Sequence, residues 1–293
     1  MVRAVFYASI GKEFDDRLSN AFATGLRAYG IPCEIRSMSE WDGTLTEGVD
    51  LGIVLGVKDK SGPIFETYRE AGRHAIFIDK GYTRLRGGPL GTLYWRTSVD
   101  AFQPLDYLMS VTRSWDRWSK LKIPIVSRRR PGENVVFAGS SQKFCNWHKL
   151  GDATSYAKKT LKTLRNFTQR PLVYRPKPSW GDAVPIDGFE YSPAKEKFAS
   201  ELANAHALVT FGSNACFEAL ISGIPTIVLG NGITRSLSVT RLEDVEAVQF
   251  PTYGQIWQLA CNVAYCQFTL DEMVSGECWS ILRQHLPKKF RKD

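Results

Sequence analysis

The residues with the clearest chemical potential lie at positions 209–226, where the chain reads VTFGSNACFEALISGIPT. An apolar strand pattern ends at Gly212, Ser213 and Asn214, and a helical pattern follows. The N–H groups and positive dipole end of such a helix favour an anion. Gly212 would let a phosphate approach the backbone closely. We therefore predict an anion site here, with helix capping by Ser213 or Asn214 as the alternative.

Two further polar loops follow predicted strands in the same half of the chain. Their residues are Gly139, Ser140, Ser141, Gln142, Arg175 and Lys177. An arginine can hold a diphosphate through its two-pronged guanidinium, and a lysine acts as a point charge. Because ligands bind beyond the carboxyl ends of strands in such sheets, we expect the three loops to form one site. The alternative is a surface loop with two cations.

The pattern of strands and helices positions these loops. Apolar strand patterns predict strands over 2–8, 32–37, 49–55, 74–78, 134–138, 171–174, 207–210 and 226–229. Helical spacing predicts helices over 14–26, 61–72, 107–121, 152–166, 194–204, 214–222, 253–264 and 270–286. Residues 83–105 are predicted to be irregular, and residues 128–132 a linker. The fold class predicted is α/β, with two Rossmann-like domains facing a cleft.

The predicted domains are 1–130, 131–265 and a C-terminal helix with a basic tail over 266–293. The 293 residues suit two domains, and the composition excludes disordered and fibrous proteins. No apolar run approaches the length of a membrane-spanning helix, and the first residues lack a secretory signal pattern. The six cysteines fit no zinc spacing. We expect a cytoplasmic protein without a transmembrane segment, a metal site or disulfides.

The net charge of +8 is concentrated in one segment. Residues 113–177 contain 16 Lys and Arg against three Asp and Glu, a net charge of +13, and the remainder carries −5. Such a segment indicates a phosphorylated ligand or a nucleic acid, and a solvated surface is the alternative.

The stretch 213–225 resembles the S-x-x-x-x-E-A-L-x-x-G-x-P stretch of capsule-type sugar transferases and of non-hydrolysing UDP-sugar epimerases. The resemblance implies the GT-B fold and a nucleotide-sugar donor, expected to be UDP-linked, with no other cofactor. It also implies that Gly212, Ser213 and Asn214 bind the donor phosphates and that Glu218 meets the ribose. The loop 139–142 would lie over the donor. Arg175-Pro176-Lys177-Pro178 resembles an R/K-P-H-P element in which Lys177 replaces the usual histidine.

The same resemblance assigns the acceptor to the N-terminal domain. The expected acceptor-binding residues are Ser9, Gly11, Lys80, Tyr82 and Arg96. An inverting transferase needs a carboxylate that takes the proton of the acceptor hydroxyl, and Asp79 is the candidate. Asp15, Asp16 and Asp100 are the reserve candidates. For each of these carboxylates, a structural role in a buried Asp–Lys pair or as a helix cap is an equally good interpretation.

These features predict a metal-independent glycosyltransferase, in which the helix at Asn214 together with Arg175 and Lys177 stabilises the leaving nucleotide diphosphate. The lack of a D-x-D motif agrees with this prediction. The positive charge makes DNA a possible acceptor, such as a hydroxymethylated base in phage DNA, and the localisation would then be the host cytoplasm. The alternatives are a capsule or lipopolysaccharide sugar transferase, a UDP-sugar epimerase-like enzyme and a non-enzymatic nucleic-acid-binding protein.

Overall fold

The computed structural model describes residues 1–58, 60–83, 93–127, 132–193 and 197–291. The chain forms two compact units. Unit 1 comprises Met1–Ser110 and Val263–Asp293, and unit 2 comprises Val111–Asn262. These limits differ from the predicted boundaries at 130/131 and 265/266, because the C-terminal segment packs with the N-terminal one. Most of the predicted linker, residues 128–131, lies outside the described residues.

The elements alternate along the chain as an α/β pattern. The first part of unit 1 contains β1 (Ala4–Ala8), α1 (Glu13–Arg27), β2 (Cys33–Ser37), β3 (Leu51–Leu55), α2 (Ser61–Glu70), β4 (His74–Lys80), β5 (Trp95–Val99) and α3 (Leu105–Ser110). Unit 2 contains α4 (Asp116–Leu121), β6 (Asn134–Ala138), α5 (Gln142–Trp147), α6 (Ala153–Arg165), β7 (Leu172–Arg175), β8 (Glu190–Tyr191), α7 (Phe198–Ala203), β9 (Ala205–Thr210), α8 (Ala215–Ile221), β10 (Thr226–Val228) and most of α9 (Tyr253–Ala264). The chain then returns to unit 1 with β11 (Gln267–Phe268), α10 (Leu270–Val274) and α11 (Glu277–Leu282).

The sheet of unit 1 has the strand order β11-β5-β4-β3-β1-β2 among the described residues. Strands β1 to β4 are parallel, whereas β5 and β11 are antiparallel to their neighbours. All five residues of β1 are buried. In α1, Leu18, Phe22 and Leu26 recur at a spacing of four and are buried. This stripe covers one face of the sheet, as the helical spacing predicts.

Strand β5 corrects the prediction that 83–105 is irregular. Its residues pair with β4, and Arg96 lies opposite Asp79. Residues 84–92 of the same stretch lie outside the described residues. Period-two patterning does not reveal β5, because its three central residues, Arg96, Thr97 and Ser98, are all polar although they are buried.

The C-terminal helices complete the core of unit 1. Trp279 and Met273 belong to the same buried cluster as Phe6 and Leu18. The single helix predicted over 270–286 is instead two short helices, because Gly276 has a φ of +80° and ends the first of them. The helix predicted over 107–121 is likewise split, into α3 and α4.

The sheet of unit 2 has the order β10-β9-β6-β7-β8 among the described residues, and all of its pairings are parallel. Its central strands are buried throughout, as expected for a sheet with both faces covered. Leu161 and Leu164 of α6 pack in the same cluster as Val135 and Val209. The strand and helix alternation predicted for this half is confirmed.

All six cysteines fall in described ranges, and all six are buried. A search of the described helices finds none that combines the length and the apolar character needed to cross a membrane.

Gly25 tests how the C-terminal helices pack. A Cβ at Gly25 would lie 2.0 Å from the carbonyl oxygen of Met273, which is a backbone atom. Gly25→Ala should lower the free energy of unfolding by at least about 1 kcal/mol, because the clash exceeds the gain in helix propensity. Gly254→Ala in α9 is the control, since nothing lies within 4 Å of its added Cβ. Urea unfolding followed by circular dichroism compares the two, and equal stabilities would contradict this packing.

Candidate functional site

The carboxyl edge of the unit 2 sheet gathers the predicted polar loops. The chain passes from β6 to β7 and β8 on one side and returns to β9 and β10 on the other. The order therefore reverses between β6 and β9, where ligands bind in open α/β sheets. The loops at this reversal are residues 139–141 and 211–214.

Thr210, at the end of β9, joins these two loops. Its hydroxyl donates to the carbonyl of Ala138 at 3.1 Å and accepts from the amide of Ser213 at 3.2 Å. The side chain is fully buried. The turn that begins at Phe211 is thus fixed to the end of the neighbouring strand.

Glycines allow the loops to approach closely. A Cβ at Gly139 would lie 2.7 Å from the ring of Tyr174, and one at Gly212 would lie 3.2 Å from the backbone of Asn231. Gly139 also donates its amide to the carbonyl of Arg175 at 2.8 Å. The loop after β6 therefore packs against the end of β7, and the loop after β9 packs against the loop after β10.

The start of α8 shows how Ser213 and Asn214 are used. The Ser213 hydroxyl accepts from the amide of Ala215 at 3.3 Å, so Ser213 caps the first turn in part. Asn214 has helical backbone angles, and its side chain does not cap the helix. Glu218 is exposed on the same helix. Capping and anion binding are compatible here, because one side chain satisfies only one of the terminal amides.

The loop after β6 leads directly into α5. Ser140 is buried, Ser141 is the last residue before α5, and Gln142 is the first residue of that helix. Gln142 accepts from the amide of Ala153 at 2.9 Å and donates to the carbonyl of Gly151 at 3.0 Å. Gln142 therefore holds α5 to the start of α6.

Arg175 does not lie as the sequence prediction requires. Its side chain is buried, and its guanidinium donates to the hydroxyl of Ser192 at 2.8 Å. Ser192 in turn donates to Glu201 at 2.7 Å, and the guanidinium lies over the ring of Phe198. The guanidinium thus binds inside the unit, because the Ser192 hydroxyl accepts one of the hydrogen bonds that a buried cation needs.

Lys177 is half-buried in the loop after β7, where its carbonyl accepts from the amide of Trp180 at 2.9 Å.

Cys145 lies in α5. Burial raises the pKa of the Cys145 thiol to about 11, with a smaller contribution from Asp152. Cys145 therefore remains a thiol at neutral pH and is unsuited to act as a nucleophile.

In unit 1 the strand order reverses between β1 and β3. Ser9 follows β1, and its amide donates to the buried Asp15 at 3.2 Å. Lys58, which follows β3, forms an ion pair with Asp15 and donates to the Ser9 hydroxyl at 3.0 Å. Sequence reasoning missed Lys58, although a lysine just after the strand predicted over 49–55 was the available signal.

Gly11 and Asp16 lie in the same loop region. Gly11 has a φ of +84°, which favours glycine, and its amide donates to the Asp16 carboxylate at 3.1 Å. Asp16 therefore fixes the turn before α1.

Asp79 lies near the end of β4 on the same carboxyl edge, and its side chain is 30% exposed. The buried Arg96 donates to its carboxylate at 3.3 Å. Arg96 also donates to the carbonyl of Phe102 at 2.7 Å and contacts the rings of Phe77 and Phe102. Arg96 is thus a buried partner of Asp79, not the exposed acceptor contact that the sequence suggested.

The other acceptor candidates separate in the same way. Tyr82 is buried, its hydroxyl is bonded to Gln103, and its amide donates to Gln267 at 2.9 Å. Lys80 is exposed. Asp100 accepts from the amide of Ala75 at the start of β4 and pairs with His74, so it lies at the amino edge, away from Asp79.

Among the residues the structure describes, no group of three or more His, Cys, Asp or Glu side chains is arranged to hold a metal ion.

No protein-family model and no curated protein sequence matches the chain. Solved structures do match. A KpsC β-Kdo 2,4 transferase from Thermosulfurimonas dismutans is 13% identical, with 90% of each chain covered and a TM-score of 0.51. A KpsC β-Kdo 2,7 transferase from the same organism is 12% identical, with 97% of this chain and 100% of the other covered and a TM-score of 0.51. At these identities the likeness shows the fold alone.

The chain therefore has a GT-B type fold. The predicted class, α/β with two Rossmann-like domains, is confirmed by the two parallel-dominated sheets. A UDP-GlcNAc 2-epimerase from Methanocaldococcus jannaschii also matches at 10% identity, over 97% of this chain and 99% of the other, but its TM-score of 0.35 is too low to indicate a shared fold.

Thr210 provides a direct test of the loop arrangement. Thr210→Val keeps the shape of the side chain but leaves the Ser213 amide and the Ala138 carbonyl without this partner. We expect the free energy of unfolding to fall by about 1–3 kcal/mol. Thr160→Val is the control, because that buried hydroxyl donates to a carbonyl of its own helix, and the loss there should stay below about 0.5 kcal/mol. Equal losses of unfolding free energy in the two variants, measured by urea unfolding, would show that the Thr210 hydroxyl does not hold the two loops together.

Proposed function

We propose that the protein is a glycosyltransferase that moves a sugar from a nucleotide-sugar donor, held by unit 2, to an acceptor held by unit 1. The observation that carries the proposal is the position of the stretch 213–225. It begins at the reversal of strand order in unit 2, where a ligand is expected on physical grounds. The same stretch resembles the donor-binding segment of sugar transferases, and the two KpsC structures that share the fold are named as sugar transferases.

The donor phosphates are proposed to lie against the turn at Gly212 and the first turn of α8. Lys177 contributes a positive charge from the neighbouring loop, and Glu218 is proposed to bind the ribose. Arg175 is assigned a positioning role, because its guanidinium is already bound to Ser192. Ser140, Ser141 and Gln142 shape the loop on the other side of the reversal.

The proposed base is Asp79, for a reaction that inverts the anomeric carbon. The acceptor hydroxyl gives its proton to the Asp79 carboxylate as its oxygen bonds to the anomeric carbon. The bond from that carbon to the phosphate oxygen breaks, and the nucleotide leaves with the electron pair. Lys177 and the α8 turn would offset the charge on the leaving group, so we propose that turnover does not need a metal ion.

The acceptor is proposed to be a sugar-containing molecule. The fold is shared with two enzymes named as Kdo transferases, and no comparison names a nucleic acid. Charge agrees, because unit 2 carries 20 Lys and Arg against 12 Asp and Glu whereas unit 1 carries 18 of each. A unit without net positive charge lacks the main attraction for a phosphate backbone.

Nucleotide binding tests the donor site. UDP, GDP and CMP should be compared by thermal shift, and at least one should raise the melting temperature. Lys177→Ala and Glu218→Ala should each weaken that nucleotide about tenfold, corresponding to about 1.4 kcal/mol. Lys158→Ala, on the exposed face of α6, should leave the affinity unchanged. A full panel without a shift, or wild-type affinity in both site variants, would contradict the donor site.

Asp79→Asn tests the base. Turnover should fall by about 10²–10⁴-fold, because an amide cannot accept the proton, while nucleotide affinity is retained. Asp106→Asn is the control, since Asp106 is an exposed carboxylate of α3 in the same unit. Release of nucleotide from the donor sugar measures turnover, and EDTA should leave it unchanged. Retained turnover in Asp79→Asn would exclude Asp79 and direct attention to Asp15.

A further inference from the structure

A groove of about 720 Å³ runs along the outer strand β2 in unit 1. Its lining includes Tyr7 and Arg36, which are register partners on β1 and β2, and most of the segment 40–47, which we call the wall of the groove. Ile10 and Ser37 lie at the carboxyl end of the two strands, and Arg3 lies at the opposite end. The volume is within the range of about 300–1,000 Å³ typical of ligand sites.

The groove starts beside the proposed acceptor edge. Ile10 lies between Ser9 and Gly11, both of which are acceptor candidates. Five residues of β2 extend roughly 16 Å at about 3.3 Å per residue. The groove is thus long enough for a short chain of sugar rings, and it is continuous with the loop after β1.

The wall formed by residues 40–47 is held in place by the rest of the unit. The Lys60 ammonium donates to the carbonyls of Ser39 and Trp41, each at 2.7 Å. The indole N–H of Trp41 donates to the carbonyl of Thr44 at 2.8 Å. Trp41 is also one of the residues that line the groove, and this bond fixes its indole ring. A wall that is already ordered loses little entropy when a ligand binds.

A chain of hydrogen bonds joins Tyr7, Thr46 and Arg36 in the lining of the groove to Tyr68. The hydroxyls of Tyr68 and Tyr7 are 3.1 Å apart, and the Tyr7 hydroxyl is 3.2 Å from that of Thr46. Arg36 donates to Thr46 at 2.9 Å and to both carboxylate oxygens of Glu34, at 2.7 and 3.0 Å. Burial raises the pKa of Tyr68, so its hydroxyl stays protonated at the start of this chain. The groove therefore presents hydroxyl, guanidinium and carboxylate groups whose positions are fixed by these hydrogen bonds.

The charges of the groove exclude a polyanion. Four carboxylates line it, from Glu34, Glu40, Asp42 and Glu47, against two guanidinium groups. One of these, Arg36, is bound to Glu34 through two hydrogen bonds. A phosphate backbone or an acidic polysaccharide would meet a net negative surface. A neutral ligand rich in hydroxyl groups meets paired donors and acceptors and an aromatic ring on which a sugar ring can stack.

We propose that this groove binds a neutral oligosaccharide, which extends the acceptor away from the reacting hydroxyl. The inference rests on the proposed transferase function, because that function places an acceptor at the loop after β1. It names the substrate class: an acceptor recognised over several sugar rings, not a single sugar or a nucleic acid.

Calorimetry on the full chain tests the groove. The probes are neutral trisaccharides of glucose, N-acetylglucosamine and mannose, with trigalacturonic acid and a short single-stranded DNA for comparison. At least one neutral trisaccharide should bind, and Trp41→Ala and Arg36→Ala should each weaken it about tenfold. Trp115→Ala removes a 62% exposed tryptophan of unit 2 and should have no effect. Trp41→Phe, which keeps an aromatic ring, should retain most of the affinity and excludes misfolding as the cause.

Absence of binding by every neutral trisaccharide overturns the inference, as does binding that survives both substitutions or a preference for trigalacturonic acid or DNA. The thermal shift with nucleotides, measured on the same variants, separates this inference from the proposed function. A thermal shift with nucleotide but no trisaccharide binding would contradict only the proposal that the groove binds an oligosaccharide. Trisaccharide binding without any thermal shift by a nucleotide would contradict the proposed transferase function, and the groove would then be a carbohydrate-binding site.

Discussion

Parallel pairing of the strands is the constraint on which both candidate edges depend. Parallel neighbours must be joined by crossovers, so the loops that follow their carboxyl ends all lie at the same edge of each sheet. In each unit the chain starts in an inner strand, builds outward in one direction and then reverses, between β6 and β9 in unit 2 and between β1 and β3 in unit 1. The gap at a reversal is where no crossover covers the edge, and it is there that polar side chains collect.

The two edges differ in how their polar groups are satisfied. In unit 2 the Thr210 hydroxyl and close glycine contacts fix the backbone of the turn at Gly212. In unit 1 side chains pair with one another, Asp15 with Lys58 and Asp79 with Arg96. The charge follows the same division, since the excess of +8 belongs to unit 2 and unit 1 is neutral. This asymmetry suits a phosphorylated donor in one unit and an uncharged acceptor in the other.

The strands β1 to β4, β6, β7, β9 and β10 could be predicted from the sequence, because apolar runs bounded by glycine and polar residues are local signals. The strands β5, β8 and β11 were not predicted. The partners of individual side chains could not be predicted either. Arg175, expected just after a strand, is the last residue of β7, and its guanidinium donates to Ser192 inside the unit, an arrangement that depends on tertiary packing. Arg96 and Tyr82 are buried because β5 and Gln267 close the sheet, and Gln267 lies 185 residues from Tyr82. The return of the C-terminal helices to unit 1 is a long-range contact of the same kind.

Hydrogen–deuterium exchange on the full chain, with and without the nucleotide that stabilises it, tests the central claim most directly. The account predicts slower exchange in peptides covering 139–142 and 211–218, the two segments at the reversal of strand order in unit 2. It predicts no comparable change over the groove along β2 when nucleotide alone is added. Protection confined to unit 1, or absent from 211–218, would contradict the assignment of the donor site.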